Sequence, residues 1–423
     1  MLYHEFERFQ YTQVLSVLFL VASWFFLPLL LWLMAVGIFS LSFCRLRGNT
    51  FLFLLIAFSL SFLIASRYMG YLWGGADDMP SYLMAYQRYD LFSQMLPVSL
   101  IYAKHADFAF SLYSWGVAAI SGNHAFFYYF LTLFITYLMI WKFFKLVDTP
   151  NPLLCFLLAV IFYKFFQGQW HLIRSYLALP ILLCGILYAR THFRYGLGLF
   201  LLGGMIHIST FVLLFPLFVV GRYIDRKWSA IELLLIFAAL MVAAIGLILS
   251  VKIIASISGH YIIAKIVTRL EFSPGFSKLP TLLFFLVVNI VAIPGYLRTK
   301  NISFIRIFNI SSFLSALSLI ALFVMGDELH RILLPFYLLY GPLLVFSIPY
   351  FQPRYIVLFA LGSVLAFHLL AFSYVIWLNE SDFMYKLDGK THPIEHIGLD
   401  YVKGFVEYLE TDIQYYDGYR TAS

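Results

Sequence analysis

The chain alternates long apolar runs with short polar breaks. Apolar segments occupy residues 14–43, 51–69, 107–121, 125–144, 151–166, 172–189, 195–221, 231–257, 280–297, 307–325, 332–349 and 355–378. Most approach the roughly 20 residues that an α-helix needs to cross a hydrocarbon core. The pattern predicts an all-α, polytopic integral membrane protein with about 10–12 transmembrane helices. Pro28 falls inside the first run, which is long enough to tilt or to bend there. That run is also far longer than the apolar core of a cleavable signal. One long hydrophilic stretch, residues 70–105, interrupts the series early. The expected organisation is one transmembrane domain, residues 1–378, followed by a polar tail, residues 379–423. Within the tail, residues 397–413 have an amphipathic pattern suited to lying on a membrane surface.

Composition agrees with the pattern. Of 423 residues, 62% are hydrophobic and only 12% charged, with 46 Phe and 30 Tyr. A soluble domain of this size could not hide so much apolar surface in one core. The net charge of +7 therefore speaks of orientation in a bilayer. Basic residues cluster in short loops, with no basic stripe and no nucleic-acid motif, so no nucleic-acid partner is expected. Cys44, Cys155 and Cys184 all lie in or at the end of apolar runs, which is neither a disulfide framework nor a zinc spacing. No metal or cofactor is expected.

Charge also constrains topology. If all twelve runs cross, Arg45/Arg47, Arg222/Arg226/Lys227, Arg298/Lys300 and Arg354 fall on the cytoplasmic side. Lys142/Lys145 and Arg190/Arg194 would then fall outside, against the positive-inside rule. Two changes repair this together. The segment 107–121, about 22 Å as a helix, stops short of the ~30 Å core and need not cross. The segment 195–221 can form a re-entrant hairpin, basic at both feet, with His207 near its tip. Every basic loop is then cytoplasmic, Asp77, Arg174, His207 and Arg331 share the outer side, and both termini lie outside.

Ionisable groups at membrane depth are expensive and by default mark a site. Arg174 enters an apolar run two residues after it begins. It either pairs with a carboxylate or snorkels, or it offers its planar fork to a phosphate or diphosphate. Arg331, beside Glu328 and His330, has the same two readings. His207, with Ser209 and Thr210 behind it, is either a packing histidine or a base or donor toward a sugar hydroxyl or phosphate. His171, three residues before Arg174, could share its helix face. Asp77 and Asp78 follow two glycines, as a solvated turn or as a carboxylate base; with no partner at ligand spacing they do not make a metal site. Trp73 and the loop tyrosines could stack on sugars or anchor the loop at headgroup level.

Five features in order resemble the EpsG-like branch of Wzy-type polysaccharide (O-antigen) polymerases. They are Gly75 with Asp77 or Asp78 and Tyr82; Asp107 before Phe108 and Phe110; Arg174 with Ala178; His207 with Ser209; and Arg331 with Phe336 and Tyr337. The likeness covers residues 50–345, with Ser175 where the family commonly has Gln and Asp107-Phe-Ala-Phe where it often has Glu-Pro-Gly-Phe. It implies a GT-C-like, metal-independent glycosyltransferase in the bacterial inner membrane, with its active site facing the periplasm. The implied substrates are oligosaccharide repeat units on undecaprenyl diphosphate, and the implied partners a flippase and a chain-length regulator. Arg174 and Arg331 would hold the diphosphate. His207, then Asp77 or Asp78, would serve as base. His171, Tyr82, Ser209, Asp107 and Tyr337 would contact substrate.

Overall fold

The computed structural model describes residues 14–42, 49–67, 78–103, 107–219, 221–229, 276–324, 329–352, 354–378 and 395–410, with His105 and scattered residues between 231 and 246. Its regular elements are helices. Among the described residues, five helices are long and apolar enough to cross a membrane, and shorter apolar helices accompany them, as expected of a polytopic membrane protein. The chain forms two compact units. The first comprises Met1–Leu146, Pro150–Val212 and Leu358–Ser423; the second comprises Val147–Thr149 and Leu213–Val357.

In the first unit, the initial run divides at Pro28 into α1 (Val14–Trp24) and α2 (Leu29–Ser42). Proline has no N–H and crowds the preceding turn, so the helix stops before it. α3 (Thr50–Ala65) opens on Asn49, whose side chain caps the Leu52 N–H. Two short helices of the hydrophilic stretch follow, α4 (Met79–Tyr86) and α5 (Met95–Tyr102). Next come α6 (Phe108–Ser121), the long α7 (Ala125–Leu146), α8 (Pro152–Ile161), α9 (Tyr163–Gly168) and α10 (Ile173–Tyr188). α11 (Phe193–Ile206) and α12 (Ile208–Val219) are separated by His207 alone. α12 runs from the first unit into the second, and α13 (Gly221–Ile224) follows it.

Glycine is required at the α10–α11 turn. A Cβ on Gly196 would stand 2.2 Å from the backbone nitrogen of Ala189, and one on Gly185 would stand 2.8 Å from that of Phe200. The two helix backbones touch there, as small residues allow between membrane helices. At the same end, the Lys142 ammonium lies 5.8 Å from the Tyr188 ring centroid, and Tyr188 meets Tyr195 at 4.9 Å. The basic end of α7 and the basic α10–α11 turn therefore lie together. Asn151, at the start of α8, donates to the Ser40 carbonyl at 2.9 Å and brings the end of α2 to the same region.

α6 does not run from one end of this unit to the other. Its first residues meet the start of α10 through Asp107 and Arg174. Its last residue, Ser121, meets Tyr86, which stacks on Tyr128 in the first turn of α7. The next residue, Tyr129, reaches the Gln169 and Trp170 carbonyls, just before α10, at 3.3 Å each. Both ends of α6 thus meet the same end of the α7–α10 pair.

The tail helix is α19 (Gly398–Glu410). Its aromatic face packs on protein: Phe405 lies 4.7 Å from Phe130, Tyr408 5.1 Å from Phe126 and Tyr401 5.5 Å from Phe62. Its aliphatic residues Leu399, Val402, Val406 and Leu409 form a second, exposed apolar stripe. α18 (Arg354–Leu378) completes the unit through its later turns, with Phe372 against Phe166 at 4.6 Å.

The second unit holds α14 (Leu279–Arg298), α15 (Ile302–Val324), α16 (Leu329–Leu333) and α17 (Phe336–Ser347). Tyr296 stacks on Phe308 at 4.2 Å, and Phe285 on Phe336 at 5.1 Å. Lys227 donates to the carbonyls of Leu297 and Thr299 at 2.7 and 3.0 Å, so the basic loops around 226 and 298 lie side by side.

Candidate functional site

Arg174 occupies the first turn of α10, with its side chain mostly buried. A cation is unfavourable at that end of a helix, where the backbone N–H groups already carry partial positive charge. Its position becomes tenable through Asp107, which forms an ion pair with Arg174 Nη1. Arg174 Nε also donates to the Tyr82 hydroxyl at 3.0 Å, and the guanidinium lies 5.0 Å from the Tyr82 ring centroid. The Tyr82 hydroxyl in turn donates to Asp78 Oδ2 at 3.1 Å. Two carboxylates, a phenol and a guanidinium from α4, α6 and α10 thus form one chain of charge-assisted bonds.

Asp107 stands where a helix-capping aspartate would, before α6 and with extended backbone angles. Its side chain makes no cap bond. The carboxylate instead takes Arg174. His105 flanks the pair: its Nδ1 accepts the Asp107 N–H at 3.3 Å, and its ring lies edge-on to Tyr82 and Phe110. Burial first, and the Arg174 charge second, hold His105 well below the ordinary histidine range, at about 3. Burial likewise pushes the Tyr82 phenol up, with Arg174 pulling the other way. Tyr82 is therefore a neutral donor and acceptor. Behind these groups, Tyr89, Ser99 and Ser111 form a hydroxyl chain at 2.6 and 2.7 Å, and Ser111 donates to the Asp107 carbonyl at 3.0 Å.

His207 is buried at the break between α11 and α12, with φ −155° and ψ 103°. Its Nδ1 lies 2.7 Å from Thr210 Oγ1 and accepts the Thr210 backbone N–H at 3.3 Å. Ser175 Oγ, from the residue after Arg174, lies 3.3 Å from Nε2. Phe211 turns back onto Phe200 at 4.9 Å, a contact that a continuous helix would not allow over this separation.

The structure thus brings together Arg174, Asp107, Tyr82 and Asp78 in one network, with His207 beside it through Ser175. It does not bring in Ser209, which is exposed; its neighbour Thr210 contacts His207 instead. His171 lies in the turn before α10, so it does not share a helix face with Arg174. Arg331 and Tyr337 belong to the second unit, on α16 and α17, where Tyr337 meets Phe285 at 5.3 Å. Asp77 and Trp73 lie outside the described residues. Among the described residues, no group of three His, Cys, Asp or Glu could hold a metal.

Two residues escaped the sequence reading. His105 was legible as a histidine two positions before an aspartate at the mouth of an apolar run. Arg67 lies within the 51–69 run yet is fully buried: its guanidinium sits 4.9 Å from the Trp170 ring centroid and donates to the Trp170 carbonyl at 3.3 Å. The cost of an ionisable group at membrane depth applied to it as much as to Arg174. It fastens the turn from which α10 starts.

Comparison with protein-family models matches residues 50–387 to the EpsG family. Curated proteins and solved structures return no match.

Proposed function

The chain belongs to the EpsG family, membrane proteins linked to exopolysaccharide synthesis, and from that premise we propose that it is the polymerase of such a pathway. It joins undecaprenyl-diphosphate-linked oligosaccharide repeat units on the outer face of a bacterial cytoplasmic membrane. The growing glycan is the donor and one lipid-linked unit the acceptor.

One observation carries the reading. Arg174, Asp107, Tyr82 and Asp78 gather where α10 starts, whereas Lys142 and the α10–α11 turn lie at its other end, about 24 Å away along the helix. With basic loops cytoplasmic, the network faces outward. Breaking a bond from an anomeric carbon to diphosphate puts charge on the leaving group. A guanidinium held by Asp107 and Tyr82 in a water-poor setting is pre-aimed to receive it. Arg331 and Tyr337 keep their proposed substrate-binding roles on the family resemblance alone.

Deleting the gene and resolving the surface glycan by electrophoresis tests the proposal. Loss of a polymerase leaves single repeat units exported and attached. Complete absence of surface units would instead identify a flippase of lipid-linked sugars, and full-length chains would remove the protein from polymerisation.

A further inference from the structure

A histidine that serves as base must present a bare ring nitrogen to the acceptor hydroxyl. The surroundings of His207 work against that. With extended backbone angles, His207 is the N-cap of α12, and it caps with its ring. The Thr210 N–H is fixed by the peptide plane and points at Nδ1. A hydrogen on that nitrogen would collide with it, so the backbone contact assigns Nδ1 as an acceptor, whose single lone pair the Thr210 hydroxyl, 2.7 Å away, then shares. In the neutral ring the proton then resides on Nε2, a tautomer assigned from its hydrogen bonds. The same device recurs before α7, where His124 Nδ1 accepts the Phe127 N–H at 3.3 Å. What sets His207 apart is its neighbour: Ser175, directly after the guanidinium-bearing residue, has its Oγ 3.3 Å from Nε2 and 3.4 Å from Nδ1.

We infer that His207 acts in the transfer as an Nε2–H hydrogen-bond donor to the leaving diphosphate, alongside Arg174, and not as the base. This rests on the polymerase reading above. In the step, the bond from the anomeric carbon to the diphosphate oxygen breaks and its electron pair stays on undecaprenyl diphosphate. The acceptor hydroxyl oxygen bonds to that carbon, and its proton passes to a carboxylate. Asp78, whose carboxylate takes the Tyr82 hydroxyl and leaves the ion pair to Asp107, fills that role. Arg174 and the Nε2–H of His207 receive the developing charge.

Two substitutions separate the roles. His207→Asn retains a side-chain acceptor for the α12 cap but has no donor at the Nε2 position; His207→Gln retains a donor there and caps poorly. Full-length variants in proteoliposomes are given undecaprenyl-diphosphate-linked repeat units for chain extension, and undecaprenyl diphosphate alone for binding. Nitrogen-15 histidine spectra, assigned by loss of the signal in His207→Asn, report the tautomer. We expect the proton on Nε2, a rate loss of about 100–1000-fold in His207→Asn with weaker diphosphate binding, and a loss nearer tenfold in His207→Gln. Equal loss in both with unchanged binding would make His207 the base. An active His207→Asn beside an unfolded His207→Gln would make it a cap and nothing more. A proton on Nδ1 would overturn the inference whatever the rates. If the wild type extends no chains, the polymerase reading fails, and the spectra and the diphosphate binding still decide the role of His207.

Discussion

Removing the Asp107 charge leaves the Arg174 guanidinium in a setting that water barely reaches, with side-chain exposures of 14% for Arg174 and 10% for Asp107. Breaking one side of such a pair costs about 3–5 kcal/mol, because the partner stays buried and uncompensated. Arg174 would keep the Tyr82 hydroxyl and its ring face, so the lower end applies. Asp107→Asn is expected to destabilise the fold by about 3 kcal/mol, and Arg174→Met by a similar amount. The double variant removes both charges and should cost roughly what either single one does, giving a coupling of about 3 kcal/mol. Equilibrium unfolding in mixed detergent micelles measures all four corners of the cycle. Single costs below about 1 kcal/mol, the level of a solvated surface pair, would refute the reasoning. So would additivity within about 0.5 kcal/mol.

Three further predictions follow from other parts of the fold. His105 should add a pH-dependent term to stability. Its folded pKa of about 3 lies below the ordinary histidine value, so the unfolded chain binds the extra proton. The contribution is complete above about 6.5, falls as pH drops toward 3 and then levels off; His105→Gln should flatten that part of a melting-temperature profile, and an unchanged profile would contradict the burial argument. Gly196→Ala places a Cβ against the backbone of Ala189, which cannot rotate aside; a loss of about 1–3 kcal/mol is expected in the same unfolding assay. Deleting residues 395–423 uncovers Phe62, Phe126 and Phe130, which α19 covers. Size-exclusion chromatography should then show aggregation or a lower yield of folded protein, and an unaltered monodisperse profile would place α19 outside the stable fold.

The apolar periodicity made the class of fold legible, and Pro28 announced the first break. The 15-residue length of segment 107–121 made the short α6 legible, and both of its ends meet the same end of the α7–α10 pair. His207 was legible as a special position in its run, but its cap geometry was not, because ring orientation depends on Thr210 and Ser175 through contacts that spacing does not encode. Asp107 was legible as the acidic residue that opens its segment, but not as the partner of Arg174, 67 positions on. The tail helix was legible from its amphipathic pattern, but not the division of its apolar residues between Tyr401, Phe405 and Tyr408 on the bundle and an exposed stripe at Leu399, Val402 and Val406. Ser209 and Thr210 are neighbours with similar chemistry, and only the turn at His207 decides which one meets the ring.

The most direct measurement uses purified protein in proteoliposomes supplied with undecaprenyl-diphosphate-linked repeat units. Products are resolved on a gel for wild type and for Arg174→Ala, with each shown to be folded by size-exclusion chromatography. The account predicts a ladder of extended chains from the wild type and single units alone from the variant. Equal ladders from both would contradict it.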